Sequence, residues 1–402
     1  MNPYGKAALI AGCLTVALSH VGSLRAASTS KPAAPLTAEQ LAEGWIALFD
    51  GETLFGWEPV HKADWRVENG EIHATAGEES WLMTTAEFAD FELYLEYKAP
   101  ADTNSGVFFR TAVPPTNPRS DCYEVNIAPQ PHPFPTGSLV ERQQADIVVA
   151  DREAWHSISI TARGPAVAIA HDGEVTVEHT DNSGPHRGRI GLQFREGPIA
   201  FRNVRLRPLK TQPLFNGRDL TGWNTDRADE SRFEVTPGGE LRVLDGRGQL
   251  ESEGSYGDFA LQLECFVDGD VLNSGVFYRC IPRDFMMGYE SQIHNGVVDG
   301  DPAHPVDCGT GGIFLRQDAR RVVARDREWF TKTIVATGPH TAVWVNGYQV
   351  SDWTDTRPPD ENPRRGLRTE PGTIAIQGHD PTTDIRFRKL RIAEYPSLAE
   401  GD

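Results

Sequence analysis

The heptapeptide NSGVFFR, Asn104 to Arg110, recurs later in the chain as NSGVFYR, Asn273 to Arg279. Asn-Ser-Gly followed by apolar residues is typical of a strand entered from a tight turn. One copy would indicate a single strand, whereas two near-identical copies indicate that a larger unit is duplicated. The repeat raises the question of which of its residues serve the scaffold and which serve a site.

The duplication extends along most of the chain, and its motifs keep the same order. LFDGETLFGW (48–57) returns as LFNGRDLTGW (214–223), and YEVNI (123–127) returns as YESQI (289–293). Self-similarity on this scale indicates two tandem domains. The predicted organisation is a signal peptide at 1–27, a flexible linker at 28–39, a first domain at 40–209 and a second domain at 210–396.

Within each copy, apolar and polar residues alternate. In FELYLEY (91–97) every second side chain is apolar, which predicts a strand with one buried face. Asp-Gly at 172–173 and Asn-Gly at 346–347 separate alternating runs and predict two-residue hairpins. Only TAEQLAEG (37–44) predicts a helix, with Thr37 as its N-cap. We therefore predict an all-β chain in which each domain is an antiparallel jelly-roll β-sandwich with one concave sheet.

Composition and the N-terminus indicate an exported globular protein. Lys and Arg number 39 against 57 Asp and Glu, a net charge of −18, which argues against nucleic acid or an anionic membrane as the partner. Lys6, followed by the apolar run from Ala7 to Leu18, is typical of a secretory signal and is too short to span a membrane. We expect export to the periplasm or the cell exterior, and no transmembrane segment in the mature chain.

The second copy carries further motifs, namely GYESQIHNG (288–296), GTGGIFLRQ (309–317) and QGHDPTTDIRFRKLRIAE (377–394). Together with the repeated LF(D/N)G, GW and NSGVF, they resemble the 3-keto-disaccharide hydrolase family over nearly all of the mature chain. The resemblance implies two concanavalin A-like jelly rolls and a carbohydrate-active enzyme whose partner is a 3-keto-glycoside or another glycan.

The family's activity implies a definite chemistry for a glycoside already oxidised to a ketone at C3. A base removes the acidic C2 hydrogen, the enolate expels the C1 substituent, and water then adds to the enone. The protein must supply a base, donors to the ketone oxygen and an acid for the leaving oxygen. The candidate catalytic residues are His294, His379 and Glu290, and the candidate substrate-binding residues are Arg279, Gln292, Arg316, Gln317, Gln377 and Asn273.

Strand periodicity supports a common location for part of this set. At period two, the residues that share faces are Glu290, Gln292 and His294 on one strand, and Gln377 and His379 on another. A face this polar would be costly as a dry core, so we expect it on the concave, wet side. The first copy lacks both histidines, which points to the second domain as the active one. We favour a histidine as the base because imidazole titrates near neutrality.

Several alternatives stay open at the level of single residues. Glu290 and Arg279 are also a plausible buried ion pair between strands, and each histidine is equally suited to an ordinary surface position. In the repeated phrase, Asn-Ser-Gly looks architectural, and its arginine is the part that we assign to the site.

Alternatives also stay open for the chain as a whole. A lectin-like protein that binds glycans without chemistry fits the same repeat. No cofactor is expected, and a divalent metal such as calcium is neither required nor ruled out by the spacing of ligand-type residues. An oxidising compartment would permit a disulfide among Cys265, Cys280 and Cys308, with its pairing undetermined.

Overall fold

The structure, a computed structural model, describes residues 35–396. The predicted signal peptide and the first part of the linker lie outside the described residues. The predicted helix is confirmed as α1 (Ala38–Glu43), in which the Thr37 hydroxyl accepts from the Gln40 amide and the Gln40 side chain accepts from the Thr37 amide. The helix ends at Gly44 in the left-handed conformation.

Everything else regular in the described part of the chain is β, apart from a short 3-10 helix at Val298–Gly300. The first copy contributes β1 (Ile46–Ala47), β2 (Trp57–Val60), β3 (Arg66–Glu68), β4 (Glu71–Ala74), β5 (Ser80–Thr84), β6 (Phe91–Lys98), β7 (Ser105–Thr111), β8 (Tyr123–Ile127), β9 (His156–Arg163), β10 (Ala166–His171), β11 (Glu174–Thr180), β12 (Arg189–Phe194) and β13 (Ile199–Pro208). The second copy contributes β14 (Gln212–Pro213), β15 (Trp223–Asn224), β16 (Ser231–Val235), β17 (Leu241–Asp245), β18 (Gly248–Tyr256), β19 (Phe259–Val267), β20 (Ser274–Cys280), β21 (Tyr289–Ile293), β22 (Trp329–Thr337), β23 (His340–Val345), β24 (Tyr348–Thr354), β25 (Gly372–Gly378) and β26 (Asp384–Glu394).

The two copies have the same topology. In the first, one sheet runs β11-β10-β9-β6-β13-β4-β3, with β1 also on β13, and a five-stranded sheet runs β2-β5-β12-β7-β8. The second repeats both orders strand for strand, as β24-β23-β22-β19-β26-β17-β16 with β14 on β26, and as β15-β18-β25-β20-β21. All of these strand pairs are antiparallel, so each copy is a two-sheet jelly-roll sandwich and the predicted fold class is confirmed.

The two predicted hairpins form where the sequence places them. Asp172 and Gly173 connect β10 to β11 with φ of 49° and 82°, and Asn346 and Gly347 connect β23 to β24 with φ of 49° and 73°. Two successive positive φ angles define the hairpin turn whose twist matches the flanking strands. The chain uses Asp or Asn followed by Gly because these residues tolerate that conformation.

The core of each sandwich is made by the inward faces of its two sheets. In the repeated phrase, Val107, Phe109 and their counterparts Val276 and Tyr278 are all buried there, and each such side chain stabilises the fold by about 1.5–3 kcal/mol. The copies also contact each other: Trp344 Nε1 donates to Ala47 O at 2.9 Å.

Two further features of the described chain bear on the expectations above. None of its helices combines the length and the apolar character that a bilayer crossing requires. The cysteines of residues 35–396, namely Cys122, Cys265, Cys280 and Cys308, are all unpaired.

Candidate functional site

The candidate site lies on the outward face of the five-stranded sheet of the second sandwich. Along β21, Tyr289 and Ile293 pack into the core, so the alternating residues Glu290 and Gln292 point to the opposite face. His294 follows directly and continues this alternation. The sequence prediction that these three side chains share a face therefore agrees with the position of β21 in the sheet.

The register of the strands brings β25 into the same site. Phe277 of β20 pairs with Glu290 on one side and with Ala375 of β25 on the other. Two residues further along β20, Gly275 pairs with Gln292 of β21. Since Val276 pairs with Ile376, the next residue of β25, Gln377, lies opposite Gly275 on the other side. Gln292 and Gln377 thus lie two strands apart, about 10 Å, with a glycine between them.

That glycine makes room for the carboxylate. A Cβ atom added at Gly275 would lie 2.6 Å from Glu290 Oε1 and 2.9 Å from its Cγ. The first sandwich repeats the arrangement, because a Cβ at Gly106 would lie 2.9 Å from Glu124 Oε1. The glycine of the repeated NSG therefore forms a hollow that holds the glutamate of the repeated YE motif.

Glu290 is 5% exposed and pairs with an arginine from a loop that is longer than its counterpart in the first copy. Its Oε2 accepts from Arg364 Nη2 at 3.0 Å. Burial raises the pKa of Glu290 above its ordinary value, while Arg364 lowers it and the charge of Asp307 adds to the rise. Arg364 lies in the β24–β25 loop, which spans 355–371, whereas the equivalent β11–β12 loop spans only 181–188.

Asp307 organises the polar rim of the site. Gln292 Nε2 donates to its Oδ2 at 3.0 Å, and Asn273 Nδ2 donates to the same oxygen at 2.5 Å. These contacts orient the side-chain amides of Gln292 and Asn273. Asn273 Oδ1 is buried and lacks a hydrogen-bond partner among the described residues, and the same is true of Gln377 Oε1. Buried acceptors without donors are costly.

The two histidines differ in their surroundings. His294 Nδ1 accepts from the Gly296 amide at 3.3 Å, and burial lowers the pKa of this imidazole, with the charges of Asp307 and Asp326 opposing the shift and that of His379 adding to it. His379 is exposed, and its Nδ1 lies 2.8 Å from Asp380 Oδ2.

Arg279 is not in the site, and its assignment to substrate binding is wrong. It is 2% exposed, and its Nη2 donates to Asp258 Oδ1 at 2.7 Å while its other donors reach backbone carbonyls. Arg110 makes the matching pair with Asp90 at 2.8 Å. The reason is the backbone: φ is 51° at Arg279 and 46° at Arg110, where a bulge turns the side chain away from the sheet face.

Gln317 and Arg316 are likewise committed to the scaffold. Gln317 Nε2 donates to Asp352 O at 3.0 Å, and its Oε1 accepts from Asp352 N at 2.8 Å, so both ends of the amide fasten its loop to β24. Arg316 donates to the carbonyls of Leu315 and Arg364 at 3.0 and 2.9 Å. It supports the Arg364 loop, and neither side chain contacts Glu290.

A buried lysine supports the site strand from inside the sandwich. Lys332 Nζ, on β22, donates to the carbonyls of Ser291 and Gln292, each at 2.8 Å. Burial lowers the pKa of Lys332 to about 7. Lys332 pairs with Leu263 in the second copy, and Ile158 pairs with Leu95 in the first. The first copy therefore has an isoleucine at the position of Lys332.

Sequence reasoning missed Arg364, Asp307, Asp380 and Lys332. The sequence does give one indication of Asp380, because this residue directly follows the candidate histidine His379. Lys332 could also have been noticed, because it occupies an inward position of an alternating strand at which the first copy has Ile158. Arg364 and Asp307 lie in loops, and only the fold brings them to the face.

The corresponding face of the first sandwich keeps the glutamate without the histidines. Ala128 stands at the position equivalent to His294, and Arg195 stands at the position equivalent to His379. Burial raises the pKa of Glu124 to about 7, with Glu79 adding to the shift and Arg195 opposing it. Both faces therefore have a glycine hollow that holds a glutamate, and they differ in the groups around it.

Comparison with known proteins supports the duplication. The family described as the 3-keto-alpha-glucoside-1,2-lyase-like domain matches residues 44–207 and again 210–393. A 3-keto-disaccharide hydrolase from Bacteroides thetaiotaomicron is 33% identical over 106 residues, which is 23% of this chain and 35% of that protein. The match thus spans about a third of the relative's length.

Two solved structures are similar at low identity. A candidate glycosyl hydrolase from Parabacteroides distasonis is 18% identical, with a TM-score of 0.39 over 44% of this chain and 98% of that one. A Bacillus licheniformis beta-glucanase is 10% identical, with a TM-score of 0.33 over 41% of this chain and 97% of that one.

Proposed function

Because the chain belongs to the 3-keto-alpha-glucoside-1,2-lyase-like domain family, we propose that its second sandwich cleaves 3-keto-glycosides. The proposal is supported by the alternation of Glu290, Gln292 and His294 along and just beyond β21, in the same sheet as the strands that carry Gly275 and Gln377, with His379 directly after β25. It is also supported by two buried acceptors, Asn273 Oδ1 and Gln377 Oε1, that have no donor among the described residues. Acid–base groups and hydroxyl-binding groups are both needed for this reaction.

The reaction has two halves. A base takes the C2 proton, the electron pair forms the enolate of the C3 ketone, and the C1–O bond breaks as the leaving oxygen gains a proton. Water then adds its oxygen to C1 of the enone while C2 regains a proton, so one water is consumed and a 3-keto sugar is released.

His379 is the base in this proposal. With its Nδ1–H directed to Asp380 at 2.8 Å, the lone pair lies on Nε2, and the ring is open to solvent. A carboxylate behind an imidazole fixes its orientation and stabilises the imidazolium that forms. His294 has the opposite arrangement: because Nδ1 accepts from Gly296, the neutral ring carries its proton on Nε2 and can donate to a developing negative oxygen.

Glu290 and Arg364 have a supporting role. Their ion pair places a positive and a negative group together beside the hollow. In this proposal Arg364 supplies a cation to the site, and Glu290 can accept from sugar hydroxyls.

The test uses the first sandwich as an internal control. We expect His379→Ala and Glu290→Gln to lower kcat/KM on a 3-keto-disaccharide by about 10²–10⁴, with no activity of any variant on the unoxidised parent. Arg195→Ala and Glu124→Gln, the matched changes in the first copy, should retain full activity. Full activity in both second-copy variants would refute the proposal, provided that circular dichroism shows all four proteins folded.

A lectin-like function is the second candidate, favoured by the unpaired Asn273 Oδ1 and Gln377 Oε1, which suit sugar hydroxyls whether or not chemistry follows. Calorimetry separates the two: binding of the unoxidised disaccharide without turnover of the keto sugar would support the lectin. We also propose export, on the evidence of the N-terminal sequence, which N-terminal sequencing of the mature protein would test.

A further inference from the structure

Two histidines and an aspartate meet on the first sandwich, away from the site described above. His156 begins β9, His171 ends β10, and Asp172 occupies the hairpin that follows. Their ligand atoms all lie within 4.8 Å of one another. Asp172 Oδ2 is 2.7 Å from His156 Nδ1 and 3.5 Å from His171 Nδ1, so one carboxylate oxygen faces two imidazole nitrogens.

The far nitrogen of each ring is already held. His156 Nε2 lies 2.5 Å from Asp151 O, and His171 Nε2 lies 2.8 Å from the Tyr97 hydroxyl. A histidine that binds a metal usually directs its other nitrogen to a carbonyl or similar partner, which fixes the ring and its tautomer. Both rings therefore present Nδ1 to the same small space.

Both ring nitrogens of His156 face an acceptor, so the ring needs either a second proton or a metal ion. A carbonyl oxygen and a carboxylate both act as acceptors, yet a neutral imidazole has only one N–H. With the Nε2 proton directed to Asp151, the Nδ1 lone pair would face the Asp172 carboxylate unless a proton or a metal ion lies between them. His171 adds a second lone pair beside the first.

The second sandwich shows that the fold does not need this group. Cys265 pairs with Phe330 where Tyr97 pairs with His156, and the hairpin there contains Asn346. Asn346 Oδ1 accepts from the Thr331 amide at 3.1 Å, just as Asp172 Oδ1 accepts from the Ser157 amide at 2.8 Å. The turn therefore requires only a side-chain oxygen and not the negative charge of Asp172.

We propose that His156, His171 and Asp172 form a binding site for a divalent transition-metal ion, Zn²⁺ being the best match. Two imidazoles and a carboxylate are a ligand set of zinc sites, with a water in the fourth position. Tetrahedral zinc separates its ligand atoms by about 3.3 Å. The 3.5 Å between His171 Nδ1 and Asp172 Oδ2 already fits, and the 2.7 Å between His156 Nδ1 and Asp172 Oδ2 must widen by about 0.6 Å. The Asp172 side chain is 47% exposed, so ion and water can enter from solvent. Calcium prefers a shell of oxygens and is not expected here.

The test is calorimetric titration of the full, untagged chain with ZnCl₂ after removal of metal by EDTA. We expect one Zn²⁺ per chain, no heat with CaCl₂, and a raised Tm in the presence of zinc. Asp172→Asn should abolish the binding while preserving the turn, as Asn346 does in the second copy. Tyr97→Phe should weaken binding by about 10- to 100-fold, since it releases His171 Nε2.

The control is His340→Ala, which removes a histidine paired with Asp352 at 2.9 Å in the second sandwich and should leave the titration unchanged. Absence of zinc binding by the wild type would overturn the proposal and leave a protonated His156 as the cation beside Asp172. Zinc binding that persists in Asp172→Asn would also overturn it, because the ion would then lie elsewhere.

Discussion

The substitution Gly275→Ala tests whether the glutamate must sit in its hollow. The new Cβ would lie 2.6 Å from Glu290 Oε1 and 2.9 Å from Glu290 Cγ. Restoring an ordinary contact of 3.4 Å requires the carboxylate to move by about 0.8 Å, because the backbone of Gly275 does not have a positive φ and has no reason to shift instead. A misplacement of about 1 Å at a reacting centre costs on the order of 100-fold in rate.

The expected effect on stability is much smaller. The atoms that must give way belong to the side chain of Glu290, so the cost should fall near the lower end of the range of about 1–3 kcal/mol for overpacking. The matched variant is Gly106→Ala, whose Cβ meets Glu124 Oε1 at 2.9 Å in the first sandwich. Both variants should lower the free energy of unfolding by similar amounts, whereas only Gly275→Ala should lower kcat.

The assay is steady-state turnover of a 3-keto-disaccharide, with urea unfolding of the same preparations. Wild-type kcat in Gly275→Ala, combined with a large loss in Glu290→Gln, would refute the reasoning that the position of the carboxylate matters. Equal losses of activity in Gly275→Ala and Gly106→Ala would show that both sandwiches contribute to turnover.

Two further predictions concern stability. Arg279→Met should lower the free energy of unfolding by about 1–3 kcal/mol, because buried backbone carbonyls lose their donor, while the Asp258 carboxylate keeps Arg187 at 2.6 Å. The kcat measured per folded molecule should stay at the wild-type value; a selective loss of kcat in a stable variant would return Arg279 to the site. Burial raises the pKa of Glu124 from 4.5 to about 7, so folding favours the protonated carboxyl. The free energy of unfolding therefore falls as the pH rises from about 4.5 to about 7 and the carboxyl ionises. Glu124→Gln should therefore unfold at a higher Tm than the wild type above about pH 7 and at nearly the same Tm below about pH 4; a difference in Tm that does not change with pH would contradict this.

The sequence was sufficient for the frame of the protein. Alternation at period two, the two hairpin dipeptides and the repeated motifs depend on local sterics and on which side chains are buried, and both copies obey them. The shared face of Glu290, Gln292 and His294 follows from the same periodicity, since they alternate along one strand. These properties can be inferred because each depends on residues that are adjacent in the chain.

The errors share a different physical origin. The sequence assigns Arg279 to the site as the last residue of the repeated phrase, but the bulge at this position, with φ of 51°, directs its guanidinium to Asp258. A single residue in a left-handed conformation changes the face on which a side chain lies, and no sequence period reports it. Arg364 and Asp307 reach the site from loops whose paths depend on the packing of the whole sandwich.

The comparison of the two copies separates what the fold requires from what the chemistry requires. The hollow at Gly106 and Gly275 exists in both, and each holds a carboxylate, so this feature belongs to the shared frame. In the first copy that carboxylate has no arginine paired with it among the described residues, whereas in the second Arg364 approaches to 3.0 Å. The positions that distinguish the faces lie at the end of β21, after β25 and in the long β24–β25 loop, all beyond the regular hydrogen bonding of the sheet. Changes there leave the core contacts untouched, which is why one frame can carry two different sets of polar groups.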